Sequence, residues 1–271
     1  MPDVDVLHEV LTAASLRRRV PLYHADFPFV ILWSQKAACT TVAKWFFYQL
    51  GMLTPQMTQG IGVHKVEWEY KTRRGYVKEM LRAIESGRPV IKFVRDPYAR
   101  SYSSYLGMCS KGSVLPTFWG GTRKQIVTYL AGPEAPIDHS FSFTQFLEWL
   151  QATGSAPVNL HISPQHMERD NLMRVRVVKI EQLKQAFLSL EREFSLSRTI
   201  SDSEDLFDSG HHNIKTQIAR DEALRFLDLP VPIGKPDGFK LVQFGKELAK
   251  HTKFDALVHA SFSVDIAKYH Y

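Results

Sequence analysis

Residues 27–41 read Phe27-Pro28-Phe29-Val30-Ile31-Leu32-Trp33-Ser34-Gln35-Lys36-Ala37-Ala38-Cys39-Thr40-Thr41. The apolar run that ends at Trp33 has the length of a buried strand and is followed by polar residues. After Thr41, apolar residues recur at helical spacing until Gly51, which predicts a helix that ends there. This part of the chain therefore predicts a strand, a loop and a helix, in that order.

Two later segments repeat the pattern. Residues 89–94 predict a second buried strand, and the helix after it would have Asp96 as its N-cap and Pro97 in its first position. Residues 175–180 predict a third strand, with a helix following over 182–194. Because strands alternate with helices, we expect an α/β fold with a central parallel sheet flanked by helices.

The remaining segments carry weaker signals. Residues 107–140 are rich in Gly, Ser, Thr and Pro, and residues 195–250 are interpreted in the same way, as loop-rich excursions that border a substrate cleft. Ser142 to Gln145 resembles a capping box that opens a helix. Further helices are predicted over residues 1–20 and 254–269.

Composition indicates a folded globular chain, since 44% of its 271 residues are hydrophobic and 23% are charged. We expect a single domain over 1–271. The net charge of +6 indicates an anionic partner, but the basic residues are dispersed, so nucleic acid is not expected. Cys39 and Cys109 cannot build a disulfide framework, and no run approaches the ~20 apolar residues of a spanning helix. These features predict a soluble, cytoplasmic protein.

The loop after the first predicted strand has the ingredients of a phosphate site. It offers a lysine, small residues and two hydroxyls before a helix, whose unpaired N–H groups and dipole favour an anion. The Walker A spacing is absent, because Lys36 precedes the threonines by several residues rather than directly, and the loop contains no glycine. The pattern therefore predicts a nucleotide ligand and disfavours an ATPase or a kinase.

Two motifs resemble the sulfotransferases that use 3′-phosphoadenosine-5′-phosphosulfate, in particular the branch of Golgi carbohydrate sulfotransferases and their bacterial relatives. Residues 36–41 resemble the loop that holds the 5′-phosphosulfate. Residues 93–103 resemble the element that grips the 3′-phosphate, in which a strand-end arginine is followed by Asp-Pro and, eight positions after the arginine, by a serine. Weaker likeness continues in residues 161–165, 178–183 and 265–269.

The resemblance implies a P-loop-NTPase-like sulfotransferase fold. It implies in-line transfer of the sulfuryl group, without a metal, to a hydroxyl of a carbohydrate or glycoconjugate, with 3′,5′-ADP as the leaving group. Lys36 would stabilise the charge that grows on the leaving 5′-phosphate, while Arg95 and Ser103 would bind the 3′-phosphate. The other residues assigned to the donor are Ala37, Ala38, Cys39, Thr40 and Thr41.

The acceptor hydroxyl also needs a base, and His64 is the first candidate. Members of the family use a histidine or a glutamate between the two donor motifs, and His64 lies there on a predicted short strand end. Its ordinary pKa of ~6.5 suits proton uptake at neutral pH. Glu67, Glu69 and His161 compete for this role, and a structural, hydrogen-bonded His64 is the alternative.

Other interpretations stay open. Arg95 is also compatible with a strand-end salt bridge to Asp96. Cys39 is interpreted as a small loop residue, because no Cys–His pairing is evident, and the pair His211-His212 indicates a metal only weakly. The competing functions are a metal-dependent kinase or phosphotransferase and a non-catalytic binder of acidic polysaccharide or nucleic acid.

Overall fold

The computed structural model describes residues 19–58, 61–115, 118–154, 159–197, 227–234 and 251–271. Almost all of the predicted helix over 1–20, most of 195–250, and His211 and His212 lie outside these ranges. In the described part of the chain, no helix combines the length and the hydropathy needed to cross a bilayer.

The chain divides into two compact units. The first contains the described residues of Met1–Arg95 and His166–His211, and the second those of Asp96–Gln165 and His212–Tyr271. The prediction of one domain over 1–271 stays a prediction. The α-helices that lie wholly within the described ranges are α1 (Cys39–Gln49), α2 (Pro55–Thr58), α3 (Ile61–Lys71), α4 (Tyr76–Glu85), α5 (Pro97–Met108), α6 (Phe118–Ala131), α7 (Phe143–Thr153), α8 (Leu183–Glu193) and α9 (Thr252–Tyr269).

The first unit contains a small parallel sheet. Its strands are β1 (Val30–Trp33), β2 (Val90–Val94) and β3 (Val175–Lys179). β2 lies in the middle, and Val90 is paired with both Val30 and Val175. Every β2 residue is buried, whereas β3 is largely exposed. The predicted α/β class and parallel strands are confirmed, although β1 begins at Val30 rather than at Phe27.

Helices pack on both faces of this sheet. Successive strand residues point to opposite sides, so the apolar residues of β1 face both layers of helices. Ile31 and Phe93 lie in one apolar cluster with α1 and α8, where the rings of Trp45 and Phe187 stack with centroids 4.4 Å apart. Leu32 lies in the other cluster, together with α4. The sheet is thus flanked by helices, as the sequence predicts.

The second unit is built mainly from helices. Its core joins apolar residues of α5, α6, α7 and α9. Arg123 in α6 is fully buried and donates hydrogen bonds to the carbonyl oxygens of Met108, Ile137 and His139 at 2.7, 2.6 and 2.6 Å. These three bonds tie the turns before α7 to the helical core.

Local helix signals in this unit are confirmed, but the prediction that 107–140 is loop-rich is wrong, while its place beside a substrate cleft stays a prediction. Ser142 and Gln145 form the expected capping box at the start of α7. Segment 107–140, however, contains the end of α5, a 3₁₀ turn and the whole of α6. The many glycines and hydroxyl residues of this segment indicated a loop, although it has a buried apolar face that includes Ile126 and Val127.

Candidate functional site

The loop between β1 and α1 has a strained backbone. Lys36 and Ala38 have φ angles of 66° and 54°, in the left-handed region that favours glycine. Each such residue costs roughly 1–2 kcal/mol, and strain of this kind clusters at ligand sites. The loop thus makes, without any glycine, turns that glycine would make at lower cost.

The helix after this loop begins without a side-chain cap. α1 starts at Cys39, and its N-cap Ala38 has no side chain able to accept a hydrogen bond. As in every α-helix, the amides of the first turn lack intrahelical partners, and here the N-cap side chain accepts from none of them; the helix dipole adds partial positive charge. Gly51, with a φ of 65°, follows the helix end as predicted. This end of α1 suits an anion.

Arg95 connects the two sequence motifs within the first unit. It follows β2, and its Nη1 donates a hydrogen bond of 3.0 Å to the carbonyl oxygen of Lys36. Because β1 and β2 are adjacent and parallel, the residues that follow them lie at the same edge of the sheet. The Asp96 carboxylate accepts a hydrogen bond from the Tyr98 amide at 3.0 Å, so it caps α5 as predicted.

Ser103, the second residue predicted to bind the 3′-phosphate, lies in α5 of the second unit and is partly exposed. Its contact with that phosphate stays a prediction.

His64 lies in the middle of α3, so its prediction on a strand end is wrong. The helix forms because Val63, Val66 and Tyr70 recur at helical spacing and pack against the core of the first unit. The Nε2 atom of His64 lies 3.0 Å from Oγ1 of Thr40. His64 is therefore directed at the first turn of α1, which follows the loop that carries Lys36.

His64 also contacts a cysteine and a carboxylate. Its Nε2 lies 3.8 Å from Sγ of Cys39, and its Nδ1 lies 2.9 Å from Oε2 of Glu67. Glu67 is buried and forms a second ion pair with Lys71, whose ammonium lies 5.0 Å from the ring centroid of Trp33. Thiol, imidazole and carboxylate are thus linked in sequence between α1 and α3.

These contacts change the pKa values of His64, Cys39 and Glu67. Burial would lower the pKa of His64, but hydrogen bonds with Cys39 and Glu67 outweigh it and raise that pKa to about 10. Burial would raise the pKa of Cys39, but the hydrogen bond and the charge of His64 lower it. Burial would likewise raise the pKa of Glu67, but the charge of Lys71 and the His64 hydrogen bond keep it low.

Two predictions are corrected by this geometry. Cys39 does have a histidine partner, and His64 does not have an ordinary pKa. The two residues are 25 positions apart and belong to different helices, so no local motif announces their contact. At neutral pH the imidazole holds a proton, and the Cys39 thiol gives up its own more readily than a free cysteine.

A buried polar chain supports the loop from the side of the sheet. Lys92 of β2 pairs with Asp170, and both side chains are buried. Arg169 donates a hydrogen bond of 2.8 Å to the carbonyl oxygen of Arg19, whose Nε donates to Oε1 of Gln35 at 2.8 Å. Gln35 is the loop residue before Lys36, so buried charges help to fix the loop. No sequence signal points to this network.

The other candidate bases differ in their surroundings. Glu69 is exposed on α3. His161 lies in the second unit, where its Nδ1 is 3.0 Å from Oδ1 of Asn159 and its ring centroid is 4.5 Å from that of Trp119. Among the residues that the structure describes, no three His, Cys, Asp or Glu side chains cluster in a way that would hold a metal ion.

Comparisons of this chain with protein-family models, with curated proteins and with solved structures find no match.

Proposed function

We propose that this chain is a sulfotransferase of the P-loop-NTPase-like type, which takes its sulfuryl group from 3′-phosphoadenosine-5′-phosphosulfate. The observation that carries the proposal is the hydrogen bond from Arg95 to the backbone of Lys36. It joins the two motifs that resemble the donor-binding elements of that family. Two such motifs without any contact between them would be far weaker support.

Lys36 has the chemical role in this proposal. When the acceptor oxygen attacks the sulfuryl sulfur, the bond to the bridging oxygen breaks and negative charge grows on the 5′-phosphate of 3′,5′-ADP. A fixed cation beside that oxygen interacts more strongly in the transition state than in the ground state. The uncapped first turn of α1, with Thr40 and Thr41, would hold the phosphate and sulfate oxygens.

Arg95 would hold the loop and the donor together. A guanidinium has five N–H groups, so the bond to the Lys36 carbonyl is compatible with further bonds to a 3′-phosphate. The proposed contact of Ser103 with that phosphate rests on the resemblance of residues 93–103 to the family motif.

His64 enters the proposal as a charged residue of α3 that faces the first turn of α1. With a pKa raised to about 10, it carries a proton at neutral pH and adds a positive charge beside Thr40. As a base it would act efficiently only in alkaline solution. Glu67 is a poor base because its pKa is kept low, so Glu69 and His161 remain the competing candidates.

The acceptor in this proposal is a hydroxyl of a carbohydrate or glycoconjugate, and this part rests on the family resemblance.

Titration calorimetry with 3′,5′-ADP, with and without Mg²⁺, tests the proposal. We expect binding that does not need the metal, followed by transfer from the donor to a panel of oligosaccharides. Binding that requires Mg²⁺ would favour a phosphotransferase instead. Steeply salt-dependent binding of acidic polysaccharide with no affinity for the nucleotide would favour a non-catalytic binder.

A further inference from the structure

Cys39, His64 and Glu67 have the connectivity of a nucleophile, a base and an orienting carboxylate. Sγ of Cys39 lies 3.8 Å from Nε2 of His64, and Nδ1 of the same ring lies 2.9 Å from Glu67. This is the arrangement that activates thiols in enzymes on unrelated folds. Sulfuryl transfer to a hydroxyl by direct displacement makes no use of a thiol.

We propose that Cys39 is a reactive thiol that hydroperoxides oxidise to a sulfenic acid, with His64 as proton donor and Glu67 as the residue that orients the imidazole. This inference does not depend on the proposed sulfotransferase function.

The surroundings of Cys39 favour the thiolate, which is the reactive form. Cys39 is the first residue of α1, where the helix dipole stabilises negative charge. The charged groups that act on the thiol are Lys36 in the loop, and His64 and Glu67 on α3, with Lys71 one turn further along. Burial and the Glu67 carboxylate disfavour the thiolate, but the hydrogen bond with His64 and the surrounding cations outweigh them. Cys39 is also partly exposed, so a small peroxide has access to it.

The step is a two-electron oxidation in which atoms and charge balance. The thiolate sulfur attacks one peroxide oxygen, an S–O bond forms and the O–O bond breaks. The leaving oxygen takes the proton from Nε2 of His64 and departs as water, or as an alcohol from an organic hydroperoxide. The sulfur is oxidised, the peroxide is reduced, and His64 is left neutral.

The second cysteine, Cys109, must be separated from Cys39 in the test. Cys109 is completely buried, so it should be inert in the folded protein. The test uses the full chain with Cys109→Ser, treated with hydrogen peroxide at pH 7 and trapped with dimedone, with the adduct mapped by mass spectrometry. Free cysteine of pKa about 8.5 is only a few per cent thiolate at this pH, so we expect Cys39 to react roughly tenfold faster in the folded chain than in urea.

Two further measurements identify the cause. His64→Gln in the same background should lose most of that rate gain. Cys39→Ser with Cys109 retained should yield no adduct in the folded chain, because Cys109 is buried. Because His64→Gln could also disturb the fold, the pH dependence of alkylation by iodoacetamide is measured on the chain with native His64. Half-maximal alkylation should fall clearly below pH 8.5, the ordinary value. A midpoint at or above that value, or equal peroxide rates in the folded and unfolded chains, would overturn the proposal.

Discussion

Arg95 donates a hydrogen bond of 3.0 Å from Nη1 to the carbonyl oxygen of Lys36, so the residue after β2 holds the loop that follows β1. Lys36 has a left-handed backbone there, with a φ of 66°. An arginine that fixes a strained loop affects any ligand of that loop, whether or not it touches the ligand. Its two roles must therefore be separated by experiment.

Replacing Arg95 by alanine should weaken the binding of 3′,5′-ADP more than the binding of 5′-AMP. Both nucleotides lose the loop tether, but only 3′,5′-ADP loses a charge-assisted contact to its 3′-phosphate. Such contacts are worth about 1.5–3 kcal/mol, which corresponds to roughly a tenfold to hundredfold additional loss. Titration calorimetry of both nucleotides measures the difference, with Arg82→Ala on the exposed side of α4 as the control. Equal losses would mean that Arg95 only positions the loop.

Replacing Lys36 by alanine should abolish most of the transfer. If its ammonium stabilises the leaving phosphate, the loss in kcat should be about 100-fold or more, while 3′,5′-ADP still binds to the first turn of α1. Lys65→Ala, at an exposed position of α3, is the matched control and should keep its activity. Near-normal turnover by Lys36→Ala would remove this residue from the chemistry.

The pH dependence of turnover tests His64 as the base. A base must be neutral to accept a proton, and a pKa of about 10 leaves only about a thousandth of His64 neutral at pH 7. If His64 is the base, kcat should therefore rise with pH towards 10. Cys39→Ser should move this rise to lower pH, because the hydrogen bond with the thiol raises the pKa of His64. A profile that His64→Ala leaves unchanged would point to Glu69 or His161.

Local signals predicted the elements that frame the site. The strand followed by Asp96 and Pro97 predicted β2 and the start of α5, because an N-cap carboxylate and a first-turn proline act within a few residues of chain. The apolar runs that predicted the strands are likewise signals that act within a few residues of chain. Because β1 and β2 are adjacent and parallel in the structure, Lys36 and Arg95 lie at the same edge of the sheet, where they form their hydrogen bond.

Long-range side-chain contacts were beyond such signals. Gly62 and the valines beside His64 suggested a strand end, yet the same valines form the buried face of α3. The contact between His64 and Cys39 depends on how α3 packs against α1, and the pKa values follow from that contact. The pairing of Lys92 with Asp170 likewise joins residues 78 positions apart.

The buried pair of Lys92 and Asp170 should contribute strongly to stability. Asp170→Asn removes the carboxylate that faces the buried Lys92 ammonium, and breaking such a pair typically costs about 3–5 kcal/mol. The pKa of Lys92 is already lowered by burial to about 8. A neutral lysine tolerates burial better, so the deficit should shrink as the pH rises. Urea unfolding measures the loss at each pH.

The matched control for Asp170→Asn is Glu193→Gln, which removes an exposed ion pair with Arg176. Exposed pairs contribute about 0–1 kcal/mol, so its unfolding midpoint should hardly move. Similar losses for the two variants would show that the buried pair is no more important to stability than an exposed one.

Two adjacent glycines of α6 should respond in opposite ways to alanine. A Cβ at Gly120 would lie 2.1 Å from the carbonyl oxygen of Leu115, whereas a Cβ at Gly121 would meet nothing within 4 Å. Gly120→Ala therefore forces the backbone before α6 to move and should lower the free energy of unfolding by about 1–3 kcal/mol. Gly121→Ala should raise it by about 0.5–1 kcal/mol, because alanine is the better helix former. Urea titrations measure the stability of both variants, which differ from each other only at positions 120 and 121. A loss of stability in both would show that the close approach of Leu115 to Gly120 is not the cause of the loss.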